Sequence, residues 1–267
     1  MPHQLRRKPA FIAGLLLLCL GGSIIAPSCG THDDTLLVFA AASLSDYLNP
    51  VGEAFTQDTG VPVRFSFGGS YLLSRQNARG APADLFIPAG TTPLKSLVDG
   101  NLLLPGPPTT VLRNELVLIR SVKADSSDNI RKILSKHVSR LAMANPQLAP
   151  AGEYAQKALE HLGLWAAVQG KLVFAPDVRS ALAYVERGYA DAALVYKTDA
   201  TQRKKLGVIT SFPANSHQPI IYPGVIIRQS QNPKSAEAFL TFLNTKPAQA
   251  IFQQQGWDIS IEASRDE

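Results

Sequence analysis

Short apolar runs alternate with amphipathic segments from Leu36 nearly to the end of the chain. LLVFA, residues 36–40, is a continuous apolar run that suits a strand covered on both faces. The segment after it places Leu44, Tyr47, Leu48, Val51 and Phe55 at helical spacing, which makes one stripe to bury. Pro50 falls inside that helix, where it removes a backbone donor and crowds the preceding turn, so a kink is expected. The arrangement then recurs: a strand at 63–67 leads through Gly68-Gly69-Ser70 to a short helix ending near Gly80. Residues 84–89 and 115–120 read as further strands, and RLAMANP, 140–146, leads on through a Pro-rich turn. A helix from about Ala151 turns Tyr154, Ala155, Ala158, Leu159 and Leu162 to one side, with Gly163 as its stop. KLVFA, 171–175, turns at Pro176-Asp177 into a helix with Val178, Ala181, Leu182 and Val185 inward, and 191–196 closes the central set. Two helical stretches around Pro247 end the chain. This alternation predicts an α/β protein with largely parallel sheets.

Composition adds that the chain buries a core of its own. It is 45% hydrophobic and 18% charged, with mean hydropathy +0.02, so disorder is excluded. The first residues differ from the rest: Arg6, Arg7 and Lys8 precede an apolar stretch, and no acid occurs before Asp33. Residues 1–28 are therefore expected to be a secretory signal. Its 16 residues from Phe11 to Ala26 are interrupted by Gly21 and Gly22 and fall short of the ~20 that a spanning helix needs. Both cysteines, Cys19 and Cys29, lie in or just after it, so the folded part has no internal disulfide to form. Cys29 sits in IAPSCG, which resembles the acylated cysteine of a bacterial lipoprotein signal, although Ala26 and Pro27 depart from the usual pattern. The two expectations for Cys29 are a lipid anchor or a stray thiol beside the cleavage point.

Removing 1–28 leaves 23 Lys+Arg against 21 Asp+Glu, a net charge of +2, so the isoelectric point of 9.2 overstates the basicity of the folded protein. No Lys/Arg cluster is interleaved with aromatics, which speaks against a nucleic-acid partner. The 239 residues that remain of 267 are comfortable for two lobes of ~100–150 residues each. The Pro- and Gly-rich stretch 102–112 and the stretch 211–219 are the expected breaks. They divide the chain into lobe I, residues 29–112 plus 214–267, and lobe II, residues 113–213.

Four strand-to-helix junctions share small residues: Ala42-Ser43, Gly69-Ser70, Pro150-Ala151-Gly152 and Asp177-Val178. In an open parallel sheet such turns gather at the carboxyl edge, where ligands bind. A helix start carries unpaired N–H groups and the positive end of the macrodipole, so several starts facing one point suit a compact anion without any lysine or arginine. Each position also has a plainer explanation by itself. A serine at a helix start is commonly an N-cap, Ala151 and Val178 carry no signal singly, and Tyr196 at the end of an apolar run reads as a core tyrosine.

Taken together, FAAASL, SFGGSYLLSRQ followed by GAPADLFI, PAGEYAQKAL, DVRSALAYVERG, LVY and SFPANSHQPIIYP resemble, in order, the periplasmic molybdate-binding proteins of ABC importers. The resemblance runs from Leu36 to Asp258. It implies a type II periplasmic-binding-protein fold, two α/β lobes with mostly parallel sheets joined by a two-strand hinge, closing on one molybdate or tungstate. It further implies that Ser43 and Ser70 each give a hydroxyl and an amide, Ala151 and Val178 a backbone amide, and Tyr196 its phenol. The implied partner is an ABC permease, and a periplasmic monomer with no cofactor and no metal-cation ligands is expected. Gly68-Gly69 stands where the family often has Ala-Ser, Tyr71 where a small polar residue is common, and FIPAG replaces FISAD. All five ligand positions remain.

Hydrogen bonds to a charged group contribute about 1.5 to 3 kcal/mol each before closure and desolvation are subtracted. The expected binding is therefore stronger than about −8 kcal/mol, micromolar or tighter. Two other functions are open on the sequence. The same fold serves receptors for other small oxyanions such as sulfate, whose charge and shape match molybdate. Ser43 or Ser70 as a hydrolase nucleophile would need a G-x-S-x-G elbow and an oriented base. Neither is found, since His137, His161 and His217 lie in polar or loop-like contexts and no metal-ligand spacing occurs.

Overall fold

The protein is described by a computed structural model, covering residues 34–121, 129–201 and 203–257. The expected signal segment and Cys29 lie outside the described residues. Within them the chain runs β1 (Leu36–Ala41), α1 (Ser45–Thr59), β2 (Val63–Gly68), α2 (Ser70–Ala78), β3 (Leu85–Ile87), α3 (Lys95–Asp99), β4 (Thr109–Asn114) and β5 (Leu116–Ser121). It continues through α4 (Ile130–Lys132), β6 (Leu141–Ala144), α5 (Pro150–His161), α6 (Trp165–Val168), β7 (Leu172–Ala175), α7 (Val178–Glu186), β8 (Ala192–Tyr196) and α8 (Lys197–Thr201). β9 (Leu206–Ser211), β10 (Ile220–Ile226), α9 (Pro233–Leu243) and α10 (Lys246–Gln254) complete it.

Two five-stranded sheets, β2-β1-β3-β10-β4 and β7-β6-β8-β5-β9, form the centres of two α/β lobes. In each, the first three strands pair in parallel, and the fourth pairs antiparallel with both of its neighbours. Four of five strands thus point one way, yet the pairing is mixed rather than largely parallel. The cause is the chain's path between lobes. β4 and β9 run toward the other lobe, and the strands entered next, β5 and β10, start at the crossing and run away from it.

The crossings fall at Glu115 and at 212–219, where a short helical turn, Ala214–Ser216, intervenes. The first lies beyond the expected break at 112, because β4 stays hydrogen-bonded to β10 as far as Asn114. The proline-rich stretch that suggested a linker precedes β4 instead of separating the lobes.

Burial explains why these segments adopt these shapes. The stripe read from the sequence is the one α1 buries, with Tyr47, Leu48, Val51 and Phe55 all inside and Gly60 ending the helix at φ 75°. Phe55 meets Phe239 and Phe242 of α9 edge to face, at centroid distances of 5.1 and 5.4 Å. Pro50 lies within α1 without ending it, and the Asn49 side-chain amide beside it donates to the Ser45 carbonyl at 3.0 Å. A second aromatic group, Tyr47, Trp257, Tyr222 and Tyr196, joins the two lobes through edge-to-face contacts at 5.2, 5.6 and 6.3 Å.

Candidate oxyanion site

All five residues singled out by sequence line one small cavity between the lobes. Ser43 lies in a single helical turn, Ala42–Leu44, directly after β1, and is 1% exposed. Its Oγ is 2.9 Å from the Tyr222 hydroxyl. Ser70 opens α2, and its Oγ accepts the Ala89 N–H at 3.0 Å. Neither serine caps its helix: no side-chain cap bond forms at either start, and Gly69 holds the N-cap position of α2. The N-cap explanation, natural for each serine alone, is therefore overturned.

Ala151 follows Pro150 in the first turn of α5, where proline's missing N–H costs nothing. The next residue must be glycine, because a Cβ on Gly152 would stand 2.2 Å from the Ala144 carbonyl oxygen. That contact lays the start of α5 against the end of β6. Val178 opens α7, with the Asp177 carboxylate turned back to accept the Ser180 N–H at 2.8 Å. Tyr196 ends β8, 1% exposed, and its hydroxyl has no hydrogen-bond partner.

The cavity is tight, with a volume of about 10 Å3, far below the range of about 300–1,000 Å3 typical of organic-ligand pockets. Besides the five, its walls are Ala41, Ala42, Gly68, Gly69, Ala89, Ala149, Pro150 and Asp177. No lysine, arginine or histidine is among them, and the one charged side chain, Asp177, is occupied with its own helix. Burial, with Tyr222 beside it, holds Tyr196 well above its ordinary pKa of 10.0, so the phenol keeps its proton and can donate. Three helices start at the cavity, adding the positive ends of their dipoles. Such a wall suits a compact anion. Among the described residues no cluster of His, Cys, Asp and Glu could hold a metal ion.

Contacts around the cavity tie the lobes together. The Tyr71 N–H donates to the Leu148 carbonyl at 3.2 Å, and the Tyr47 hydroxyl to the Thr198 carbonyl at 2.7 Å. The Tyr71 hydroxyl bonds the Glu153 carboxylate. Arg179 of α7 pairs with Asp46 of α1 and, at 3.1 Å, with buried Asp199. Burial pushes Asp199 up to about 6 against the opposing pull of Arg179.

The sequence missed these pairs, and also Tyr222, Asn114 and the Ala89 N–H. Tyr222 lies within a motif the sequence displays, SFPANSHQPIIYP, but nothing in the spacing brings it to Ser43. The departure at Gly69 acquires a physical reason. A Cβ there would lie 2.6 Å from the Leu148 carbonyl oxygen and 3.0 Å from that of Pro176, both backbone atoms of the opposite lobe.

Comparison with known proteins places this architecture. The family model for bacterial extracellular solute-binding proteins matches residues 36–258. The chain belongs to that family. As a solute-binding protein it is 37% identical to the molybdate-binding protein ModA of Haemophilus influenzae, over 91% of this chain and 95% of that one. It is 33% identical to YvgL of Bacillus subtilis, named for an ABC transporter substrate-binding lipoprotein, over 94% and 98%. The solved periplasmic molybdate-binding protein of Azotobacter vinelandii superposes with a TM-score of 0.75 at 29% identity, covering 84% of this chain and 99% of that one.

Because both atoms facing Gly69 are backbone carbonyl oxygens and not the ends of flexible side chains, Gly69→Ala should hold the lobes apart. Small-angle scattering should then give a larger radius of gyration than for wild type under conditions that close the wild-type cleft. Superimposable profiles would show that the Gly69 contact does not limit closure.

Proposed function

We propose that this solute-binding protein captures molybdate or tungstate in the interlobe cavity and delivers it to the membrane permease of an ABC importer. The observation that carries the proposal is the convergence of Ser43, Ser70, Ala151, Val178 and Tyr196 on one small cavity without a lysine, arginine or histidine, with the Tyr196 hydroxyl buried and unpartnered. Leaving such a donor unpaired costs about 1–3 kcal/mol, which an anion oxygen would recover. The names of its molybdate-binding relatives support the same ligand.

In this mechanism the anion is desolvated between the lobes and receives up to seven hydrogen bonds. Ser43 and Ser70 each contribute a hydroxyl and an amide, Ala151 and Val178 an amide, and Tyr196 its phenol. Ser43 and Ser70 belong to one lobe, while Ala151, Val178 and Tyr196 belong to the other. The ligand therefore meets its full set only in the closed state, and that differential affinity drives closure. The hinge comprises the two crossings, at Glu115 and 212–219. The protein acts as an exported monomer, and acylation of Cys29 anchors it to the membrane, as the lipoprotein name of YvgL supports. Intact mass of the mature protein should show Cys29 as the N-terminal residue with a diacylglyceryl modification. A mature chain starting elsewhere, or unmodified, contradicts the anchor.

Isothermal titration with molybdate, tungstate, sulfate and phosphate should give micromolar or tighter binding for the first two and none for the others. Ser70→Ala should weaken molybdate by about 10- to 100-fold, the loss of one bond to a charged group. Because Ser70 Oγ also accepts the buried Ala89 N–H, the same substitution should lower the melting temperature of the empty protein. Equal binding of sulfate would shift the assignment to a general oxyanion receptor, and binding of none would reject it.

A further inference from the structure

We infer that Asn114 and Tyr222 are positioning residues that fix the Ser43 hydroxyl as a donor toward the cavity. This rests on the proposed oxyanion function for its use, but the geometry stands by itself.

The direction of the chain follows from one fixed end. Asn114 Oδ1 accepts the Glu115 N–H at 2.9 Å, and a backbone N–H can only donate. The opposite amide rotamer would set the side-chain NH2 against that N–H, so Nδ2 must face the other way. It lies 2.9 Å from Thr198 Oγ1 and 3.1 Å from the Tyr222 hydroxyl, which uses both amide protons. The Tyr222 oxygen therefore accepts from Asn114, and its single proton needs an acceptor. Tyr222 is fully buried, and its other partner is Ser43 Oγ at 2.9 Å. An unpaired buried O–H is costly, so Tyr222 donates to Ser43.

The Ser43 oxygen is then an acceptor toward Tyr222, and its proton is left for the cavity it lines. A serine hydroxyl normally rotates to suit either a donor or an acceptor. Here it is preset to meet an anion oxygen that carries no proton of its own. Burial keeps Tyr222 far above its ordinary pKa, so the relay does not titrate in the physiological range. Ser70 is oriented by the same logic through a single step, because its Oγ accepts the Ala89 N–H.

The relay also begins at a notable place. Asn114 is the last residue of β4, directly before the crossing at Glu115, and Thr198 lies in the second lobe. The donor direction at the ligand-facing serine is thus anchored on the segment about which the lobes would move.

Two measurements test the inference. Neutron diffraction of the deuterated protein should place the Tyr222 hydroxyl deuteron toward Ser43 Oγ and an Asn114 Nδ2 deuteron toward Tyr222. A Ser43 deuteron pointing at Tyr222 would overturn it, whatever the ligand proves to be. A double-mutant cycle with molybdate then reads the consequence. Tyr222→Phe should weaken binding about 10-fold when Ser43 is present and less than twofold in the Ser43→Ala background. Equal weakening in both backgrounds, or none in either, would contradict action through Ser43. Should Tyr222→Phe lower the melting temperature of the empty protein, Asn114→Leu provides the second arm, because it removes the donor that holds the Tyr222 oxygen as an acceptor without adding a charge beside the anion. Its effect should likewise shrink in the Ser43→Ala background, and an undiminished effect would overturn the inference. Failure of wild type to bind molybdate, with deuterons placed as stated, would reject the function and leave the relay standing.

Discussion

A buried cavity walled by N–H and O–H groups, with its one carboxylate turned away, is stable only when something accepts those donors. This constraint organises the rest of the molecule. Removing an anion from water is prohibitive without compensating hydrogen bonds, and the structure offers them from neutral groups at three helix starts and two strand ends. A lysine or arginine would supply more charge but would also fill so small a space. Small residues at Ala41, Ala42, Gly68, Gly69 and Ala89 keep the backbone accessible.

The two-lobed fold is the means of assembling such a wall. One sheet edge presents helix starts in one direction only, so enclosing a tetrahedral ligand takes two edges facing one another. The mixed pairing of both sheets follows from this need, since each crossing strand must leave one edge and start at the other. The aromatic group of Tyr47, Trp257, Tyr222 and Tyr196 and the Asp46–Arg179–Asp199 pairs hold the edges together beside the cavity. Arg179 stands next to Val178 yet points to carboxylates, which keeps its charge outside the cavity wall.

The elements were legible in the sequence because each buries a periodic face. The α1 stripe and the inward positions of the Asp177-capped helix α7 are examples. The five cavity residues were legible as a set, through motifs at successive strand ends, although singly each had a plainer explanation. The first crossing was misplaced because prolines mark loops without saying whether a lobe ends there. The reversed strands were not legible because direction depends on the chain's path and not on local pattern. Tyr222 and Asn114 escaped for a related reason: Ser43 and Tyr222 are 179 positions apart, and Asn114 and Tyr222 108 apart. Nothing in the periodicity of a buried strand says which of its residues carries a hydroxyl to a distant serine.

The proposed function places molybdate between these five residues, held without a fixed positive charge. Crystals grown with molybdate and measured at the molybdenum absorption edge would locate the metal. One anomalous peak is expected in the cavity, with oxygens in hydrogen-bond reach of Ser43, Ser70, Ala151, Val178 and Tyr196. A peak elsewhere on the molecule, or one coordinated by lysine or arginine, would contradict it.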